Sequence, residues 1–319
     1  PILIMKTTKY FIIIIIAIVC FDQVASNTLD YLHSKTHTGM SGGKVNYLLD
    51  KFTHMPVLAL GNSRCAHHVI PKVIGNERVY NLSHNGMNLI FHAGIIDQLL
   101  NNEKLKIDTI LLHLEASEMF NLSDIKSRDI QYLKHYYNDN EWIRNEISEL
   151  SDFEPVKYLL SSYKWNGNIV SIIMNNIKTQ FILPPKDGYV AKPSTKRDSI
   201  NVSWSFKNRN FLNKNVDINP KFSLQISHIK KLCENNGIKL ICFMSPNYKP
   251  NKKLLKLQKE YKKQFFDNLN IVFYDYSEEY YINYSLRSIW NWTDCDHLNE
   301  KGALLFSELL KKDLYDYQI

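Results

Sequence analysis

The chain lacks the cysteine pattern of a metal site or of a disulfide-stapled domain. Its five cysteines in 319 residues stand apart, one of them inside the apolar leader, and none shows the paired spacing of a zinc or redox motif. Cys65 and Cys295 flank the stretches that carry the candidate chemistry; pairing is one reading of them, and free buried thiols are the commoner fate. No block of one charge stands out either. With 39 Lys and Arg against 32 Asp and Glu the net charge is +7, but lysine-rich pieces such as 252–263 alternate with apolar residues at helical spacing. That is a solvated helix face rather than a nucleic-acid patch, so no nucleic-acid partner is expected. His67, His68, His84, His92 and His113 have no carboxylate at ligand spacing on a firm element. They read as structural, and neither a metal nor a cofactor is implied. Beyond residue 21 no second apolar run reaches membrane length.

What is present begins with an apolar run over residues 11–21, preceded by Lys6 and Lys9. Its length is nearer a signal-peptide h-region than the roughly 20 residues of a spanning helix. Val24-Ala25-Ser26 offers a cleavage site, while Asp22 and Gln23 equally mark the outer end of a short uncleaved anchor. Val19 stands where a lipoprotein signal needs a small residue, which argues against lipidation of Cys20. Residues 1–26 are therefore a signal peptide or an N-terminal anchor, and either form leaves the remainder outside the cytoplasmic membrane. Residues 27–54 read as a polar connector with one short helix.

From residue 55 the pattern alternates between buried strands and helices. Apolar runs at 57–60, 79–82, 107–114, 238–244 and 271–274 read as strands, and helical spacing fills 65–70, 86–100, 222–236, 252–268 and 300–312. This predicts an α/β domain over 55–319: a flavodoxin-like three-layer α/β/α sandwich with a mostly parallel sheet of about five strands. The alternation lapses over 121–195, a helical insertion rich in aromatics, among them Tyr132, Tyr136, Tyr137, Trp142, Tyr158, Tyr163 and Trp165. Such a stripe serves as core, as a lid, or as a platform for sugar rings.

Two stretches carry the chemistry. In Val57-Leu58-Ala59-Leu60-Gly61-Asn62-Ser63-Arg64 an apolar strand stops at a glycine and delivers Ser63 at its carboxyl end, where open α/β sheets place ligands. Far along the chain, Trp292-Thr293-Asp294-Cys295-Asp296-His297 sets an acid and a base three residues apart on one loop. Asp294 can orient the imidazole, and His297 can take the serine proton. Asp296 competes for the orienting role, but adjacent side chains on an extended loop point apart, which favours Asp294. A serine ahead of a helix also serves as an N-cap. Arg64 is a candidate to hold a substrate carboxylate or phosphate, with a salt bridge inside the fold as the other reading.

Gly61-Asn62-Ser63-Arg64 and Asp294 to His297 resemble the first and last blocks of the SGNH (GDSL-like) hydrolases, with Asn62 where that family often has Asp. Asn81-Leu82-Ser83-His84-Asn85-Gly86 resembles the second block, which gives Gly86 a backbone N–H role in an oxyanion hole. After Leu112-His113-Leu114 the family's Gly-x-Asn-Asp is replaced by Glu115-Ala116-Ser117-Glu118, so Ser117 occupies the asparagine position. The resemblance spans roughly residues 55–312 and is closest to the membrane-anchored SGNH-like proteins of bacterial surface-glycan loci, of the teichoic-acid D-alanylation and alginate acetylation type. It implies an oxyanion hole of Ser63, Gly86 and Ser117, with Asn85 a further candidate contact. The activity it implies is ester hydrolysis or O-acyl transfer on a surface or exported glycan. Implied partners are an acylated glycan or small acyl ester, the membrane through the N-terminal segment, and a membrane-bound acyl-donor protein. The implied location is the cell membrane with the domain periplasmic or extracellular, or secretion after cleavage. A non-catalytic glycan-binding or assembly role is the alternative.

Overall fold

The computed structural model describes residues 2–39, 42–101, 104–120, 127–182, 184–207 and 218–315. The chain divides into two compact units: one holds the chain up to Lys51 together with Ile130–Pro184, the other Phe52–Asp129 with the chain from Pro185 onward.

The second unit is built on five strands, β1 (His54–Leu60), β2 (Val79–Asn81), β3 (Lys106–His113), β4 (Lys239–Met244) and β5 (Val272–Asp275). They form one sheet in the order β2-β1-β3-β4-β5, and every pairing is parallel. The strands read from apolar runs are all present, their ends shifted by at most three residues. Pro56 falls inside β1, at a position that is in register with neither β2 nor β3, so its missing N–H costs no ladder bond. Along β1, Val57 and Ala59 join a core with Leu111, Ile241, Phe243, Trp292 and Phe306. The alternate residues Leu58 and Leu60 are equally buried, as are Ile110, Leu112 and Cys242 of the neighbouring strands. Both faces of the sheet are therefore covered, as a parallel sheet requires, and the result is a three-layer α/β/α sandwich. Each of the Val, Leu, Ile and Phe side chains among them contributes roughly 1.5–3 kcal/mol on burial.

This order reverses direction between β1 and β3, since the chain goes first to one side of β1 and then to the other. The crevice at the carboxyl ends of those two strands is where doubly wound sheets bind ligands. Ser63 follows β1, and Ser117 follows β3.

Residues 185–195 were expected within the insertion but belong to the sheet-bearing unit. The Asp187 carbonyl accepts from Asn81 N–H (2.8 Å) and the Val190 N–H donates to the Ala66 carbonyl (3.1 Å), so the Pro185 to Lys192 stretch straps the outer side of β2. Gly188 has φ +75°, and a Cβ there would lie 2.2 Å from the Asn81 carbonyl oxygen. No other residue fits that approach.

In the first unit the leading helix runs from Ile2 to Ser34, far beyond the apolar run, and a second helix spans Gly43–Lys51. The stretch read as a connector is largely helical because its polar residues are taken up by the insertion: Asp30 accepts from Lys164 Nζ and Trp165 Nε1, each at 2.9 Å. The helix is long and apolar enough to cross a membrane, a property shared by anchors and signal sequences. The insertion's aromatics mainly form its own core. Tyr137 and Tyr158 stack 3.5 Å apart, and Trp165 is buried against His33 and His135. Tyr132 stays exposed. Residues 121–126 lie outside the described residues.

Candidate active site

Gly61 makes the turn out of β1. A Cβ on it would lie 2.6 Å from His113 Cβ and 2.8 Å from Cys65 Cβ, so the close packing of the turn against β3 and the next helix needs glycine. That helix spans Ser63–His68, and its N-cap is Asn62, whose side chain accepts from Arg64 N–H at 2.9 Å. The capping role open to Ser63 is thus filled by its neighbour, and the Ser63 hydroxyl is turned to another partner. Ser63 Oγ lies 2.8 Å from His297 Nε2, across 234 positions of sequence.

The loop bearing His297 is closed at its base by an antiparallel bridge between Trp292 and Leu298 and by Thr293 N–H donating to the His297 carbonyl at 2.8 Å. Inside it, His297 Nδ1 lies 2.9 and 3.0 Å from the two Asp294 oxygens. Asp294 Oδ1 also accepts the Asp296 and His297 backbone N–H groups, each at 2.9 Å. With Nδ1 facing a carboxylate, its proton belongs there, which leaves Nε2 as an acceptor for the serine hydroxyl. Burial alone would raise the Asp294 carboxyl. The hydrogen bonds and charge of His297, the Asp296 N–H and Lys192, whose Nζ is 3.8 Å away, outweigh it and hold its pKa down at about 2. Asp294 is therefore an anion across the working range. Asp296 takes no such position on the imidazole and instead lies beside the Cys295 thiol. Cys65 and Cys295 are both buried, and neither is in a disulfide.

We expect Asp294→Asn to lower turnover of an acyl ester by about 10⁴-fold through loss of the correct imidazole tautomer, and Asp296→Asn to be much milder. Steady-state kinetics on both variants checks the order, and the reverse ranking would move the orienting role to Asp296.

Other candidates lie along the same carboxyl edge. His84 N–H donates to the Gly61 carbonyl at 2.9 Å, which lays the loop after β2 alongside the serine turn. Asn85 and Gly86 follow at its exposed tip, with Gly86 at φ +74°. Ser117 lies half-buried in the one-turn helix Ala116–Met119 that follows β3. Arg64 goes elsewhere. Only 6% exposed, it donates from Nη1 to Glu115 Oε2 (2.9 Å) and from Nη2 to the Ser245 and Pro246 carbonyls (2.7 and 2.6 Å). Its fork is committed to the fold, so the substrate contact considered for it is replaced by the internal salt bridge.

Several residues behind the site were not singled out by sequence. Glu115 at the end of β3 also receives Asn62 Nδ2 at 3.0 Å, tying the serine turn to β3. Ser245, at the end of β4, bridges His68 Nδ1 and His113 Nε2, each at 3.0 Å. Leu298 N–H donates to His68 Nε2 at 2.9 Å, which fixes the proton of His68 on Nδ1 and links the serine helix to the His297 loop. Burial and the Arg64 charge hold both His68 and His113 well below the ordinary histidine range, so this chain of bonds is neutral. Burial, with the charges of Glu115 and Asp129, pushes Glu118 up to about 8 despite the Leu89 N–H it accepts, so it carries a proton at neutral pH. Their common signal is position: Glu115 and Ser245 each stand within two residues of a strand's carboxyl end.

No protein-family model matches this chain. No curated protein matches it either. A functional reading therefore rests on the site. Among the described residues no group of three or more His, Cys, Asp or Glu is arranged to hold a metal ion.

Proposed function

We propose that the chain is an SGNH-type serine esterase or O-acyltransferase acting on acyl groups of a surface or exported glycan. The observation that carries this reading is the Ser63–His297–Asp294 line, at 2.8 Å and 2.9 to 3.0 Å, at the carboxyl end of a parallel sheet in the order 2-1-3-4-5. Ser63 Oγ bonds to the acyl carbon while its proton passes to His297 Nε2. The oxyanion is held by the Ser63 and Gly86 backbone N–H groups, with the Ser117 hydroxyl as the third donor. His297 then gives the proton to the departing alkoxide, leaving an acyl-serine. Water or a sugar hydroxyl gives a proton to His297 and attacks the acyl carbon, and Ser63 Oγ departs with that proton. Which acceptor reacts depends on how well the site excludes water.

The leading helix supports a membrane-bound location, and Lys6 and Lys9 ahead of its apolar run favour the sheet-bearing unit outside the cytoplasm; an acyl-donor protein in the same membrane is the partner this reading calls for. Retention of the helix is supported by its polar side: Asp22, Gln23, Ser26 and Asp30 all bond to the Ser161–Trp165 turn, and cleavage after Ser26 would remove three of the four. A fluorophosphonate probe tests the central step. Wild-type protein should be labelled on Ser63, as read by peptide mass mapping, and a wild-type protein that stays unlabelled overturns the reading.

A further inference from the structure

Asp22 is only 6% exposed although it directly follows the apolar run. It accepts the backbone N–H groups of Ser161 (2.7 Å) and Ser162 (3.0 Å) and the Ser162 hydroxyl (2.5 Å), capping the turn Ser161–Trp165 from outside. Gln23 Nε2 donates to Ser161 Oγ at 2.7 Å, and Asp30, two turns on, holds Lys164 and Trp165. The residues just before this turn are apolar and face outward: Phe153 is 73% exposed, Val156 60%, Leu159 81% and Leu160 47%. Tyr158, between them, is turned inward onto Tyr137. Four large apolar side chains exposed within eight positions mark a surface that another phase or partner covers.

We propose that Phe153, Val156, Leu159 and Leu160 form a foot that inserts into the outer surface of the bilayer crossed by the leading helix. The inference rests on the reading of that helix as a retained anchor. The occupant follows from continuity. The uninterrupted apolar run, residues 11–21, covers about 17 Å at about 1.5 Å per residue, so crossing the roughly 30 Å hydrocarbon core takes up flanking residues of the same helix as well. Such a mismatch thins the bilayer locally or draws the flanking residues into the interface, so Asp22 sits at that boundary. There a bare carboxylate is costly, and the two N–H groups and hydroxyl that it receives offset the loss of water. Ser161 is bonded to Asp22, and Leu160 is its neighbour in the chain, so the Leu159–Leu160 end of the foot lies near the same level. The bilayer then covers what the protein leaves bare, and the helix is held by two attachments instead of one.

Site-directed bimane labelling of the full chain in nanodiscs tests this. In a Cys20→Ser background the four remaining cysteines are buried, so Leu159→Cys or Phe153→Cys supplies the reactive thiol. Ile15→Cys, inside the apolar run, is the lipid reference. Lys35→Cys, exposed and about 20 Å further along the helix than Asp22, is the water reference. With brominated lipid, emission at 159, 153 and 15 should fall about twofold, because interfacial side chains lie roughly 5–10 Å into the headgroup boundary, while position 35 should respond only to aqueous iodide. Quenching at 15 with iodide-only response at 159 and 153 would overturn the foot and leave the anchor standing. Protection of 159 and 153 from both quenchers would mean that protein covers the patch, which also overturns it. Absence of lipid quenching at 15 would remove the anchor and the foot together.

Discussion

Replacing Ser63 or His297 with alanine should each lower kcat/KM for a short acyl ester by about a thousandfold or more, and the double variant should be little worse than either single one. The non-additivity follows from the geometry. Once Oγ is gone the imidazole has no proton to take, and once the imidazole is gone Oγ stays a weak nucleophile. The fold should survive both changes. The Ser63 hydroxyl is bonded to His297, whereas the cap of its helix comes from Asn62 and the anchoring of that helix from Arg64, Asn81 and Ser307. Thermal unfolding of Ser63→Ala should therefore lie close to wild type. Equal turnover by wild type and both variants would remove the assignment, and a large fall in stability on removing the hydroxyl would show that Ser63 is a structural residue.

The sheet was legible because each strand is a short, almost wholly apolar run bounded by polar or turn residues, a signal that needs no knowledge of the rest of the chain. Ser63, Asp294 and His297 were legible for a related reason: their spacing within each loop is local, and only the meeting of the two loops is long-range. What sequence did not give is all carried by distant contacts. The leading helix reads as a dozen apolar residues followed by a spacer, because nothing near Asp22 or Asp30 announces that Ser161, Ser162, Lys164 and Trp165 will satisfy them. The strap after Pro185 has no strand pattern, since its pairing with Asn81 and Ala66 uses backbone groups of any sequence. Glu115 and Ser245 are single polar residues at strand ends, and their importance depends on which strands become neighbours.

Arg64 shows the same contrast within one tetrapeptide, and its replacement should unfold the protein more readily than any change to the triad. Arg64→Met leaves Glu115 without its charge partner and the Ser245 and Pro246 carbonyls without the Nη2 donor, in a site where Arg64 is 6% exposed. Removing one side of such a buried pair typically costs about 3–5 kcal/mol, most of it the penalty of the charge left behind. Glu115→Gln in the same chain should restore part of that loss, because the orphaned charge is gone while an amide can still meet Asn62. Arg64→Lys should not rescue it, since one ammonium cannot serve a carboxylate and two carbonyls in the geometry of a planar fork. Urea midpoints at constant m-value measure the series. If Arg64 instead served substrate, Arg64→Met would raise KM at unchanged midpoint, and the internal salt bridge would carry none of the energy that its burial and its three short bonds assign to it.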